Sequence, residues 1–588
     1  MAPSSKPGIR FTVAFPDPHT HLFEIEMEIP AFREKVASLD VSLPVWAPGS
    51  YFVRHFARHV RDLAATANGG SVAVAKVERS RFRLTPEAPS KGPFRIRYRV
   101  YAHDLSVRTS HLDGSHAFGN GTNLFLYVEG GLHLPQSVRF RLPQGWRTTL
   151  ALPYERGAYH ARDYDELADS PFECGTHRIL PFTVRGVPHE LALYGKGNEN
   201  AEQLVGDLAK IVEQGARLFG RLPYERYAFL THLLPARGGG LEHAASCVCG
   251  LPAFGFSKPD SYRDALALFA HEHFHVWNVK RLRPLALGPF DYSKENHTHD
   301  LWAMEGVTSY YERLLLVRAG LSTLEEAGKE WGKALKDHED TPGRLVQSLA
   351  EASFDTWIRL YMPDENSPNV SESYYRRGML VALALDLTLR RDTGGRKSLD
   401  DVLRLLYKEC ADTGLGYVPG RYESAVSEVW GKDSTGFFAR YVRGTESPDL
   451  APLFDSFGLT LGKKADETQA LTADFGWKTK TEEGKLVVKE TYAGRAAYVS
   501  GVYAGDELVA LNGFRATAEA IERLERDAEP GSEVLVTVFR RNRLHTVVLA
   551  LTRREVFTYE LTAKKKPTST ERRLREGWTS SPKKASAR

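Results

Sequence analysis

His271-Glu272-His273-Phe274-His275 contains the pattern His-Glu-x-x-His. In a helix, residues i and i+4 share a face, so His271 and His275 can present two imidazoles to one metal ion. Glu272 stands beside them, where its carboxylate can take a proton from an attacking water. His273 falls about 160–200° around the helix from the other two and is read as a packed or solvated histidine. A hydrolytic zinc site needs a third protein ligand and an open position for water. Glu305 offers that ligand, because it sits among apolar neighbours in Leu301-Trp302-Ala303-Met304-Glu305-Gly306. Buried unpaired it would cost several kcal/mol, and a cation removes that cost. Glu312, two turns further on, is the rival carboxylate. The expectation is one zinc ion held by His271, His275 and Glu305, with Glu272 as general base.

Upstream lies Arg237-Gly238-Gly239-Gly240-Leu241-Glu242-His243. Glycines there let another backbone approach closely. Glu242 then has two readings. It holds the free α-ammonium group of an extended peptide, with Gly239 and Gly240 lining the path, or it is an exposed residue after a glycine turn. Cys247-Val248-Cys249 misses the usual spacing of a paired metal motif and reads as an alternating, partly buried strand.

These residues need elements to position them. Residues 1–180 read as an all-β domain, with strands expected at Ile9–Phe15, Leu22–Ile29, Phe94–Tyr101 and Asn123–Val128. Residues 181–455 read as a mainly helical unit carrying the metal motif. Its first helix is expected at Ala201–Phe219, followed by an apolar strand at Tyr227–Leu234. Mixed α+β patterning returns over 456–556. Residues 557–588 read as a basic, disordered tail: nine Lys or Arg and two Glu from Ala563 onward give +7, leaving −3 for the rest of a +4 chain. No base-reading motif accompanies that charge, so no nucleic-acid partner is expected.

The 588 residues are 42% apolar and 26% charged, which excludes a disordered or collagenous chain. No apolar run of ~18 residues is present, so no membrane span is expected. Met1 to Thr20 lacks an apolar core after a basic start, and four cysteines cannot staple so long a chain. Both point to a cytoplasmic protein.

His271 to Pro284, with its Trp-Asn-x-Lys-Arg-Leu-Arg-Pro ending, resembles the glycyl aminopeptidase family of zinc metallopeptidases. The Leu301–Tyr311 segment and the Gly239–His243 loop share that resemblance, as does Leu43-Pro44-Val45-Trp46-Ala47-Pro48-Gly49-Ser50-Tyr51. It covers about residues 8 to 555. It implies a thermolysin-like, gluzincin-type catalytic domain in which Glu242 binds the substrate amine. His271, His275 and Glu305 would then hold zinc, although 29 residues separate His275 from Glu305, a longer gap than the wider aminopeptidase group shows. Tyr374-Tyr375-Arg376-Arg377-Gly378 looks like the segment that supplies an oxyanion-stabilising tyrosine; Tyr375 fits the frame and Tyr374 is its rival.

The region after residue 456 resembles a PDZ module, in which Phe475, Gly476 and Trp477 form a groove for a peptide C-terminus or the module has an architectural role alone. The function implied is removal of small N-terminal residues, Gly or Ala, from peptides. A PDZ-assisted zinc endopeptidase and a non-catalytic peptide-binding scaffold are the alternatives.

Overall fold

The computed structural model describes residues 8–465 and 473–581. Its first part is all β. In Ile9–Ala14, Leu22–Ile29 and Phe94–Tyr101 every second side chain is buried, the period of a half-buried strand. These strands lie in an eleven-stranded sheet, where Ile9–Ala14 runs parallel to Gln136–Arg141 and antiparallel to Leu22–Ile29. A four-stranded sheet orders Arg147–Leu150, Phe172–Gly175, His116–Gly119 and His111–Leu112. Phe11, Phe23, Met27, Phe125 and Phe172 share one core. The strand expected at Asn123–Val128 is mostly absent. Asn120 accepts from the Thr122 N–H and starts a helical turn, Gly121–Leu124, so only Tyr127–Val128 pairs as strand. An asparagine cap outweighs the β propensity of the segment.

The next sheet has five strands, ordered Arg178–Val184, Val187–Tyr194, Tyr227–Leu234, Ser246–Pro252 and Gly239–Glu242. Tyr227–Leu234 is parallel to both neighbours and buried along almost its whole length, as a central parallel strand must be. Gly239–Glu242 forms the edge, antiparallel to Ser246–Pro252, with Gly240 opposite Cys249 and Glu242 opposite Cys247. Cys247 and Cys249 are free thiols in the core of their strand. The Ala201–Phe219 helix is capped by Asn200 and buries the stripe Leu204, Leu208, Ile211 and Val212. Most of the chain from Pro259 to Asp455 is helical.

A smaller α+β unit follows. Trp477–Glu482, Lys485–Thr491, Glu507–Leu511, Glu533–Arg540 and Arg543–Ala550 form its sheet, in that order. Helices Ala496–Ser500 and Ala518–Asp527 help enclose a separate core of Phe475, Val488, Leu508, Val536 and Leu549.

Two expectations for this end are corrected. The unit does not begin at residue 456, because Leu459–Ala465 pairs antiparallel with Phe557–Ala563. That ribbon packs on the Leu324–Glu339 helix, where Gly328 and Gly332 have no room for a β-carbon beside Leu561 and Tyr559. Nor is 557–588 a disordered tail throughout. After the strand comes a helix, Ser569–Thr579, started by a reciprocal cap between Thr568 and Glu571. Two apolar residues suffice to dock it. Leu574 and Trp578, at i and i+4, are buried, and Trp578 packs against Trp331, Phe454 and Phe457. Residues 582–588 of the expected tail lie outside the described residues. No helix among the described residues is long and apolar enough to cross a membrane.

Candidate active site

The His-Glu-x-x-His motif closes the helix Pro259–Phe274, which is buried from Ala265 to Phe274. His275 follows it, still in helical conformation, and its ring lies 4.7 Å from that of His271. His273 faces the other way. It bonds Tyr224 Oη at 2.8 Å among Tyr227, Phe229 and Trp277, and burial holds its pKa well below the ordinary histidine value.

Glu305 arrives on a π-helical turn, Trp302–Gly306, that leads into the helix Val307–Arg318. Such turns are frequent at functional sites. Its Oε2 lies 3.4 Å from His271 Nε2 and 3.2 Å from His275 Nε2. The opposite ring nitrogens have their own acceptors. His271 Nδ1 meets Glu312 Oε2 at 2.7 Å, and His275 Nδ1 meets the Asn278 carbonyl at 2.8 Å. Acceptors at Nδ1 favour the proton there, which leaves each Nε2 available to a metal ion. Glu312 therefore orients His271 from behind rather than competing with Glu305. Asn278 also donates through Nδ2 to the carbonyls of Ala303 and Met304 and to Thr308 Oγ1, tying the motif to the turn that carries Glu305.

The ligand atoms of His271, His275 and Glu305 all lie within 4.8 Å of one another, and all three residues are buried. Burial opposes protonation of both histidines, yet Glu305 and its neighbouring carboxylates hold their pKa values above the ordinary one. Burial likewise opposes ionisation of Glu305, but the two imidazoles bring its pKa down to about 2. A divalent cation would displace the protons shared in this way. Two Nε2 atoms and one carboxylate, with each Nδ1 already committed, suit a tetrahedral metal such as zinc.

Glu272 is buried beside this group. Burial raises its pKa to about 7, with Glu242 and Glu305 adding to the rise against the pull of His271 and His275. Gly240 abuts it so closely that a β-carbon would overlap the Glu272 carboxylate. Gly239, at φ 79°, adopts a backbone conformation that favours glycine. Glu242 is not an exposed turn residue: it is 3% exposed, and its Oε1 has no hydrogen-bond partner among the described residues. Ligand atoms of Glu242, Glu272 and His275 lie within 4.8 Å of one another. Gly49, from the N-terminal domain, presses on the Glu242 carboxylate with no space for a side chain. The two residues after Glu242 are held by Asp169, which accepts from the Ala244 N–H at 2.8 Å and from Lys280 Nζ at 2.8 Å, and bonds His243 Nδ1 at 3.0 Å.

Tyr375 lies beside the His271, His275 and Glu305 cluster. Its ring lies 6.4 Å from that of His271, and burial followed by the Glu305 charge pushes its pKa well up. Tyr374 turns toward Thr356, whose hydroxyl donates to it at 3.1 Å. Arg377 points elsewhere and donates to the carbonyls of Gln347 and Gly444. Gly378 meets Gly306, which lets the Arg376–Asp392 helix close on the Glu305 turn. Tyr51 belongs to the same cleft: after burial, Glu305 and Glu242 are the main causes that raise its pKa. Gly49, Tyr51 and Asn278 lie within the segments that carry the family resemblance, but their residue types and spacing alone assign them no role. Phe475, Gly476 and Trp477 form no part of this cluster. Phe475 and Trp477 stack at 4.5 Å in the core of the C-terminal unit, and Gly476, at φ 73°, abuts Arg495.

Fold and site together define a metallopeptidase. Residues 10–176 match the N-terminal domain of peptidase family M61, and residues 264–381 match the M61 glycyl aminopeptidase domain. An aminopeptidase N family protein from Idiomarina loihiensis superposes with a TM-score of 0.89 at 32% identity, covering 97% of this chain and 100% of that one. A variant of an M1 zinc metallopeptidase from Deinococcus radiodurans superposes with a TM-score of 0.50 at 16% identity, covering 75% and 95%, a likeness of fold. No curated protein matches the sequence. The chain belongs to the M61 glycyl aminopeptidase family.

Proposed function

We propose that this protein is a zinc-dependent aminopeptidase of the gluzincin type that removes small N-terminal residues, Gly or Ala, from peptides. The observation that carries the reading is Glu242. A buried carboxylate with an unpartnered oxygen stands beside Glu272, and Gly49 lies against its oxygens, where a side chain would block them. That place suits the α-ammonium group of a peptide, which would bind by a charge-assisted hydrogen bond and set the cut at the first bond. Preference for Gly or Ala rests on the family.

His271, His275 and Glu305 would hold the zinc. Bound there, zinc supplies a Lewis acid that polarises the scissile carbonyl and lowers the pKa of a water to about 7. Glu272, with a pKa near neutrality, accepts the proton of the attacking water and returns it to the leaving amine. Tyr375 supplies a hydroxyl for the oxyanion. The edge strand Gly239–Glu242 offers its backbone to an extended peptide, and Gly240 keeps that path open next to Glu272.

We read the C-terminal unit as PDZ-like. Trp477–Glu482 is an edge strand of its sheet, where a peptide C-terminus would add beside the Phe475-Gly476-Trp477 loop.

Hydrolysis of Gly-, Ala- and Leu-arylamides tests the reading. Activity should vanish with a chelator, return with zinc and favour Gly and Ala. Glu272→Gln should retain the metal and lose roughly 10²–10⁴-fold in turnover. Full activity in the chelated protein, or in Glu272→Gln, would overturn it.

A further inference from the structure

A second group of ligating side chains lies away from the catalytic cluster. His116 and Glu173 come from adjacent strands of the N-terminal four-stranded sheet, His116–Gly119 and Phe172–Gly175. His232 comes from Tyr227–Leu234, the central strand of the catalytic sheet. Their exposures are 0%, 1% and 1%. One ligand atom of each lies within 4.8 Å of the others, as in the His271, His275 and Glu305 group.

Its hydrogen bonding is incomplete. His232 Nε2 pairs with Glu173 Oε2 at 3.0 Å. His116 Nε2 is in a close ion-pair contact with Glu173 Oε1, while His116 Nδ1 has no partner among the described residues. Another buried histidine–glutamate pair shows what a purely structural arrangement looks like. His338 bonds Glu372 at 2.6 Å and Ser447 at 2.7 Å, while Glu372 also accepts from Arg376 and the Ser373 N–H. Polar atoms at this depth are satisfied unless something else occupies the site. Glu173 is also an anion: burial opposes its ionisation, but His116 and His232 hold its carboxyl well below the usual range.

We propose that His116, Glu173 and His232 form a second divalent-metal site, of the zinc class, that clamps the N-terminal domain onto the catalytic sheet. Two imidazoles and one carboxylate are the donors zinc takes. A cation there would replace the proton that His116 Nε2 and Glu173 Oε1 share. Tyr194 covers the site: its ring stacks on His116 at 3.6 Å, and its hydroxyl meets Ser115 Oγ. Beside it the interface is apolar, built from Phe118, Ala192, Leu230 and Val248. The clamp would therefore hold the strand Tyr227–Leu234, whose neighbour Ser246–Pro252 pairs with the Glu242 strand.

The test is zinc content after stripping with a chelator, reloading and equilibrium dialysis. Wild-type protein should hold two zinc ions per chain. His271→Ala with Glu305→Ala should still hold one, and adding His232→Gln should remove it. Zinc should raise the melting temperature of the His271→Ala, Glu305→Ala protein, and His232→Gln should abolish that rise. His232→Gln alone should keep its arylamide activity. No zinc bound by a folded His271→Ala, Glu305→Ala protein would overturn the proposal. If that variant does not fold, the wild-type count decides: two supports the second site and one refutes it.

Discussion

Trp578 donates its indole N–H to the Tyr310 hydroxyl at 2.7 Å, joining the end of the chain to the helix that follows Glu305. Tyr310 in turn donates to Asp386 at 2.6 Å. Arg318 and Arg390 donate to the carbonyls of Trp578 and Gly577. The helix Ser569–Thr579 thus completes a buried polar network around Tyr310 and Asp386. Removing the Trp578 side chain takes away a buried aromatic and the donor to the Tyr310 hydroxyl, while the carbonyls that Arg318 and Arg390 use stay on the backbone.

Trp578→Ala should therefore destabilise the protein by about 3–5 kcal/mol. A chain ending at Thr562 should be destabilised at least as much. Thermal unfolding measures both; a melting temperature equal to wild type would show that the helix contributes nothing.

Glu312→Ala should weaken metal binding about 10–100-fold, because His271 loses the acceptor that holds its ring. Glu312→Gln keeps an acceptor oxygen and should recover most of the loss. Competition with a chromophoric chelator reads the affinity. Equal losses in the two variants would assign Glu312 a role through its charge instead.

Acid should loosen the same buried network. Burial works against ionisation of Asp400, but Arg318 and Arg390 hold its pKa well below the usual aspartate value. The folded pKa lies under the unfolded one of about 3.9, so the stabilisation is complete above that value and is lost as pH falls through the folded pKa. Stability measured by denaturant unfolding should fall as the pH drops below about 4, and Asp400→Asn should flatten that limb while lowering stability at pH 7. An unchanged acid limb in Asp400→Asn would contradict this assignment.

The sequence made some of this legible and hid the rest for physical reasons. The His271 and His275 pair follows from helix periodicity, and Glu305 from the cost of an acid among apolar neighbours. Glu312 shared that helix, but nothing in spacing tells a ligand from a residue that bonds a ligand's far nitrogen. Gly49 lies almost two hundred residues before Glu242, so its contact with that carboxylate depends on how two domains meet. The last helix did leave a signal: Thr568 three residues before Glu571, then Leu574 and Trp578 on one face. Basic composition masked it, because composition averages over exactly those few residues that dock. At Asn123–Val128 the β-prone residues were visible, but the capping role of Asn120 depends on a bond to Thr122 that composition does not show.

The central claim is that Glu242 holds the substrate's free amine. The direct measurement is kcat/KM for Gly- and Ala-arylamides and their N-acetylated forms, in wild type and in Glu242→Gln. A charge-assisted hydrogen bond contributes about 1.5–3 kcal/mol, so Glu242→Gln should cost roughly ten- to a hundredfold on the free substrates. Acetylation removes the same interaction from the other side, so the two changes should not add. Wild-type activity in Glu242→Gln, with acetylated and free substrates cut alike, would contradict the account and leave an endopeptidase with the same metal site.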